Sequence, residues 1–250
     1  MEIRKYVAIG DSFSEGYGDE TDDGLPRGWA DLVAGRLASA QGIPIDYANL
    51  AIRGRKIAAI LDEQLDAAIA LTPDVISING GGNDILRPRV SPAWVSSRLL
   101  IAARRIMASG ITPILVSGAN PSGVMPLGAV MQRRGDALAD HVQRWTSAFG
   151  LPYVNNWGDA RLRDARFWSE DRLHLNAAGH AHAATNLLMT LERDPDPDWS
   201  GFTGHTSAES AMNARYWREF VGPWIGRRLT GRSSGDGRRP KYANYIRLEP

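Results

Sequence analysis

The sequence predicts an α/β fold, a parallel sheet with helices on both faces, and three observations carry the prediction. Five short runs (Lys5–Ile9, Ile45–Ala51, Val75–Asn79, Pro113–Ser117 and Tyr153–Asn156) are rich in Val and Ile and end in Gly, Asn or Ser, which reads as strands. Longer stretches with apolar residues at helical spacing separate them, and such alternation is the pattern of a parallel sheet. The strand runs are continuously apolar, as burial on both faces requires.

The helices follow in order. Trp29–Ala40 repeats apolar residues at Leu32, Val33 and Leu37, and Arg55–Leu71 does so at Ile57, Ile60, Leu61, Leu65 and Ile69. Ser91-Pro92 reads as an N-cap followed by proline at the first helical position, opening a helix to about Ser109 that Gly110 stops. Gly128–Phe149 carries Val130, Met131, Leu138, Val142 and Trp145 at helical spacing, and Asn176–Leu191 closes the series. The composition changes near Glu192, so the chain divides into a main domain, 1–192, and a C-terminal extension, 193–250. Within the extension, Asp194–Asp198 is an acidic, Pro-interrupted linker. Ser207–Ile225 reads as one more helix, with Trp217, Phe220 and Trp224 packing on the sandwich or on another subunit, which makes an oligomer through the extension an expectation. From Arg227 onward seven Lys or Arg face only Asp236 and Glu249, the pattern of a solvated basic tail.

A hydrophobic fraction of 43% and a charged fraction of 23% fit an ordinary globular protein of 250 residues. A formal net charge of +1 gives no pull toward nucleic acid or anionic membrane, so no nucleic-acid partner is expected. The absence of cysteine excludes a disulfide framework, a thiolate metal site and a cysteine nucleophile together. No apolar window approaches a membrane span, and the apolar stretch after Lys5 is too short for a secretory signal, so the expected location is cytoplasmic.

In an open parallel sheet the ligand crevice lies beyond the carboxyl ends of the strands. The residues there are Gly10-Asp11-Ser12, Ile52-Arg53-Gly54, Gly80-Gly81-Gly82-Asn83-Asp84, Gly118-Ala119-Asn120 and Asn156-Trp157-Gly158-Asp159. Ser12 stands in a glycine-containing turn that exposes its hydroxyl, although a serine after a strand is by itself a common turn or cap residue. A serine hydroxyl is a weak nucleophile that needs a base, and the base needs a partner to fix its tautomer. Asp171-Arg172-Leu173-His174 offers both, with His174 as base and Asp171 as orienting acid; a surface helix cap is the plain alternative. Asn83 is a neutral amide donor among glycines that allow close approach, and a donor aimed at a developing oxyanion lowers a barrier by a few kcal/mol. A phosphate loop is the competing explanation for these glycines, but neither a Gly-Lys-Ser/Thr nor a Gly-x-Gly-x-x-Gly pattern is present. Gly54 adds one more backbone N–H to the same region.

These four segments, in this order, resemble the SGNH hydrolases, also called GDSL-type lipases and esterases, over about Tyr6–Leu191. The resemblance implies a three-layer α/β/α sandwich with a flavodoxin-like five-stranded parallel sheet. It implies a catalytic triad of Ser12, His174 and Asp171, and an oxyanion hole formed by Ser12, Gly54 and Asn83. It also implies hydrolysis of a small-molecule carboxylic ester through an acyl-enzyme, with no metal and no cofactor. Phe13 stands where leucine is commoner in the family. A carbohydrate O-deacetylase on the same scaffold, and a binding module that has lost turnover, are the rival expectations. Asp11 and Asp84 read as hydrogen-bonding supports, and His180 and His182, two apart on a helix, read as ordinary helix residues and not as a metal pair.

Overall fold

The computed structural model describes residues 2–21, 24–124, 128–202, 218–219, 222 and 233–250. Its strands are β1 (Lys5–Ile9), β2 (Ile45–Asn49), β3 (Val75–Asn79), β4 (Thr112–Val116), β5 (Tyr153–Val154) and β6 (Tyr242–Leu248). They form one sheet in the order β5-β4-β3-β1-β2-β6. The first five are parallel, and β6 pairs antiparallel with β2. The helices are α1 (Ser12–Glu15), α2 (Trp29–Gln41), α3 (Ile57–Ile60), α4 (Asp66–Ala70), α5 (Gly82–Ile85), α6 (Pro92–Ala108), α7 (Gly128–Phe149) and α8 (Ala177–Thr190). A π-helical stretch, Leu61–Leu65, joins α3 to α4.

The two-residue alternation of each strand divides the core into two layers. Tyr6 and Ala8 of β1 point to the side where Trp29, Val33 and Leu37 of α2 meet Ala184, Leu187 and Leu188 of α8. Val7 and Ile9 point to the other, against Ile57 and Ile60 of α3, Leu99 and Ile106 of α6, and Val142 of α7. Local chemistry sets the helix starts: Ser91 Oγ accepts from Trp94 N at 3.0 Å, and Asn176 Oδ1 from Gly179 N at 3.1 Å. The expected three-layer α/β/α arrangement is therefore present.

The sheet has six strands where five were expected, and the basic tail is not uniformly solvated. Tyr242, Ile246 and Leu248 pack on the α2/α8 layer and Tyr245 on the other, so this segment has strand alternation with a bulge opposite Tyr47 and Asn49. Aromatic and β-branched residues outweigh the local positive charge here, because burying them against β2 removes apolar surface from water. The expected helix at Ser207–Ile225 lies almost wholly outside the described residues, as do Trp217, Phe220 and Trp224. Among the described residues no helix is long and apolar enough to cross a membrane.

Candidate active site

The three parallel strands β2, β1 and β3 lie side by side, so the turns that follow them are neighbours at the carboxyl end of the sheet. The turn after β1 carries Ser12 as the first residue of α1, with Asp11 as its N-cap: Asp11 Oδ1 accepts from Phe13 N at 3.1 Å. Gln64 holds the peptide of Gly10 from both sides, accepting from Gly10 N at 2.8 Å and donating to Gly10 O at 2.9 Å. Gln64 is buried and comes from the π-helical stretch, whose extra residue per turn breaks the apolar periodicity at that point.

Ser12 Oγ lies 3.0 Å from His174 Nε2, and His174 Nδ1 lies 2.5 Å from Asp171 Oδ2. With Nδ1–H donating to the carboxylate, Nε2 is left to accept from the serine hydroxyl, an assignment that follows from hydrogen-bonding chemistry. Asp171 Oδ1 accepts from Ser169 Oγ (2.8 Å), Leu173 N (2.9 Å) and His174 N (3.0 Å). Burial alone would raise the Asp171 carboxyl, but the facing imidazole and these donors outweigh it and hold the group well below the usual carboxylate range. The turn carrying them places Arg172 at φ 57°, a left-handed conformation uncommon for a residue other than glycine. The rings of Tyr17 and His174 meet edge to face, with centroids 4.6 Å apart, and the Arg53 guanidinium lies over the Tyr17 ring, 4.1 Å from its centroid.

Asn83, near the start of α5, donates from Nδ2 to Arg55 O at 3.1 Å and to Asp11 Oδ2 at 3.3 Å. The second contact is long, which leaves that proton available to a better acceptor. Burial pushes the Asp11 carboxyl up to about 6. Asp84 Oδ2 accepts from Ile57 N at 2.9 Å and so ties α5 to the start of α3. Asp11 and Asp84 thus take the supporting contacts expected of them. Gly54 sits in the loop after β2 with φ 75°, and Arg55 connects it to Asn83. That loop is held by Glu15, whose carboxylate accepts from Arg53 N at 2.6 Å and pairs with the Arg53 guanidinium.

A cavity of about 130 Å³ opens at this point. Its wall includes Ser12, Asn83 and His174 and continues along Ile78, Leu115 and Val116 of the sheet, Leu99 of α6, and Leu138 and Val142 of α7, with Tyr153 and Trp157 beside them. Gly54 and Asp171 are not part of that wall; Asp171 stands behind His174. Among the described residues no three His, Asp or Glu side chains cluster as a metal site.

Two histidines differ from expectation. His180 is fully buried, accepts from Trp29 N at 3.2 Å through Nδ1 and faces Tyr17 O through Nε2 at 3.4 Å. Burial pushes it down to about 3, so its neutral ring acts as a cap between α8, α2 and the turn that carries Ser12. His182 Nε2 meets Asp159 Oδ2 at 2.7 Å. Sequence reasoning missed Gln64 and His180 as site supports; the one local signal was a lone amide inside the apolar run Ile57–Ile69.

The sequence model of the GDSL-like lipase/acylhydrolase family matches residues 8–182. No curated protein sequence matches the chain. Among solved structures, a catalytic mutant of Axe2, an acetylxylan esterase from Geobacillus stearothermophilus, is similar at 21% identity, covering 76% of this chain and 96% of that one, with TM-score 0.65. The crystal structure of TesA is similar at 25% identity (76% and 98% covered, TM-score 0.60). A lipase/acylhydrolase from Enterococcus faecalis is similar at 22% identity (77% and 98% covered, TM-score 0.60).

Proposed function

The chain belongs to the GDSL-like lipase/acylhydrolase family, and on that premise we propose that Ser12 is the nucleophile of an ester hydrolase acting on an apolar acyl or aryl ester. The observation that carries this reading is the continuous hydrogen-bond chain from Ser12 Oγ through His174 to Asp171. Ser12 Oγ attacks the ester carbonyl while His174 Nε2 takes its proton, and Asp171 steadies the imidazolium that forms. The oxyanion is held by the N–H groups of Ser12 and Gly54 and by the Asn83 amide, which exchanges its long contact to Asp11 for the developing charge. His174 then protonates the leaving alkoxide. A water, deprotonated by the same ring, attacks the acyl-enzyme and releases the acid.

The apolar wall of Ile78, Leu99, Leu115, Leu138 and Val142 supports an apolar acyl group in preference to an acetyl group alone. Replacing Ser12→Ala tests the assignment. Turnover of a short-chain p-nitrophenyl ester should be lost, together with labelling by a fluorophosphonate probe, while the fold is retained by circular dichroism. Undiminished turnover in that variant would remove Ser12 from the mechanism.

A further inference from the structure

Residues 233–250 lie beyond the span matched by the family, 8–182, yet they reach the loop that carries Gly54. We propose that Ser233–Lys241 is a positioning segment for the oxyanion hole, clamping the loop after β2 and the turn of the nucleophile in the geometry the transition state needs. The inference rests on the reading of Ser12, Gly54 and Asn83 given above.

Two contacts make the clamp. The first is a tight turn laid directly on the loop. Ser233 N donates to Asp236 Oδ2 at 2.8 Å and Gly235 N donates to Ser233 Oγ at 3.1 Å, which fixes the turn's shape. A Cβ on Gly235 would stand 2.1 Å from Arg53 O and 2.8 Å from Ile52 Cγ2, so the two backbones touch with no room for a side chain. A Cβ on Gly54 would stand 2.3 Å from Ser233 Oγ and 3.0 Å from Ser234 Oγ. Asp236 Oδ1 faces the guanidinium of Arg55 at 3.6 Å. The second contact is Lys241, whose side chain is only 4% exposed. Its ammonium donates to Glu15 O (2.9 Å), Pro26 O (2.6 Å) and Asp31 Oδ2 (2.8 Å). All three of its protons are used, which is what allows a lysine to be buried here.

These contacts converge on one residue. Glu15 closes the helix that Ser12 opens, its carbonyl takes Lys241, and its carboxylate takes both the N–H and the guanidinium of Arg53. Gly54 is next in the chain, and Arg55 O is the acceptor that orients Asn83. The loop is thus gripped by Glu15 on one side and by Ser233–Asp236 on the other. An oxyanion hole works through preorganised donors, so a small shift of this loop moves two of the three donors at once.

The test uses the full chain carrying Gly235→Ala or Lys241→Met, with p-nitrophenyl ester kinetics and binding of an alkylboronic acid, which forms a tetrahedral adduct with the serine. The expected result is a kcat lowered by about 10- to 100-fold with KM within about twofold, and boronate affinity lowered by the same factor as kcat/KM. In an Asn83→Ala background the further loss from Gly235→Ala should shrink to about threefold or less, because both changes damage one unit. Wild-type kcat and boronate affinity in a folded variant, with only the melting temperature lowered, would overturn the inference. So would full multiplication of the Gly235→Ala and Asn83→Ala losses. Where one variant does not fold, the other decides. A Ser12→Ala enzyme that still hydrolyses the ester defeats the underlying site assignment instead, a separate outcome.

Discussion

If the cavity beside Ser12 takes the acyl group, as proposed, it sets a quantitative expectation about chain length. Its volume is about 130 Å³, and an apolar cavity of ~150 Å³ holds one benzene, so the space suits about six carbon atoms. Each methylene moved from water into such a wall is worth about 0.8 kcal/mol, or about fourfold in kcat/KM if the gain is realised in the transition state. Going from acetate to hexanoate adds four methylenes, hence about 3 kcal/mol and a rise of about 200-fold, with a plateau or fall beyond about six carbons. Val142 lines the cavity from α7 together with Leu99 of α6 and Leu115 of β4. Val142→Phe fills part of that space and should move the optimum to shorter esters, each displaced methylene costing about fourfold. The assay is kcat/KM for p-nitrophenyl esters from acetate to decanoate, run for both enzymes with Ser12→Ala as the blank. A rate that falls steadily from acetate onward, unchanged by Val142→Phe, would refute the acyl-pocket argument. It would favour the carbohydrate O-deacetylase instead, and an acetylated sugar would then be the substrate to try.

Two further outcomes follow from the site and its surroundings. Asp171→Asn keeps the shape of the triad but removes the charge that fixes the His174 tautomer, and kcat should drop by about 10⁴-fold with little change in melting temperature; steady-state kinetics check this, and a loss under tenfold would remove Asp171 from the orienting role. His180 makes stability depend on pH in a defined direction. Its folded value of about 3 lies below its ordinary 6.5, so the unfolded chain takes up the proton first, and the contribution is present above about 6.5 and lost as pH falls toward 3. Asp11 runs the other way: its value is raised from 3.8 to about 6, so it stabilises below 3.8 and that contribution is lost as pH rises through 6. Wild type should therefore lose about 3 kcal/mol more than His180→Gln between pH 7 and pH 4.5, while the opposing Asp11 contribution is common to both. Urea unfolding at the two pH values measures this, and equal losses in the two proteins would show that His180 is not held neutral by burial.

The periodic elements were legible in the sequence because their signals are local. Gly128–Phe149 matches its helix residue for residue, and Lys5–Ile9 and Val75–Asn79 match their strands. The catalytic candidates were legible only in combination: a serine, glycine or asparagine after a strand is a common turn residue, but Ser12, Gly54, Asn83 and the Asp171/His174 pair occur together and in that order. The supports were hidden for the opposite reason, since their partners lie far along the chain. Gln64 meets Gly10 across 54 residues, His180 meets Trp29 across 151 and Lys241 meets Glu15 across 226. A buried lysine reads as solvated until its three acceptors are known, and the charge of the tail concealed the alternation of Tyr242, Tyr245, Ile246 and Leu248.

Strand order supplies what the sequence left open. Reading along the chain puts Ser12, Gly54 and Asn83 after successive strands, at one end of a parallel sheet, without saying which turns are neighbours. The observed order places β1 between β2 and β3, so the turn bearing Ser12 is flanked by the turns bearing Gly54 and Asn83. Had β2 and β3 both lain on one side of β1, one donor would stand a strand farther away, about 5 Å beyond its present neighbour. That is too far for the three proposed donors to share one oxyanion. Asp171 and His174 come from the turn leading into α8, which packs with α2 over the face carrying Tyr6 and Ala8. His180, on the same helix, is hydrogen bonded to the first residue of α2 and to the carbonyl of Tyr17. The ring of Tyr17 then meets His174, so His174 is referenced to the turn of Ser12 through the core as well as through its own contact with Ser12. The site is therefore set by strand order and by buried polar pairings between distant residues, and the motif residues stand at the point where these converge.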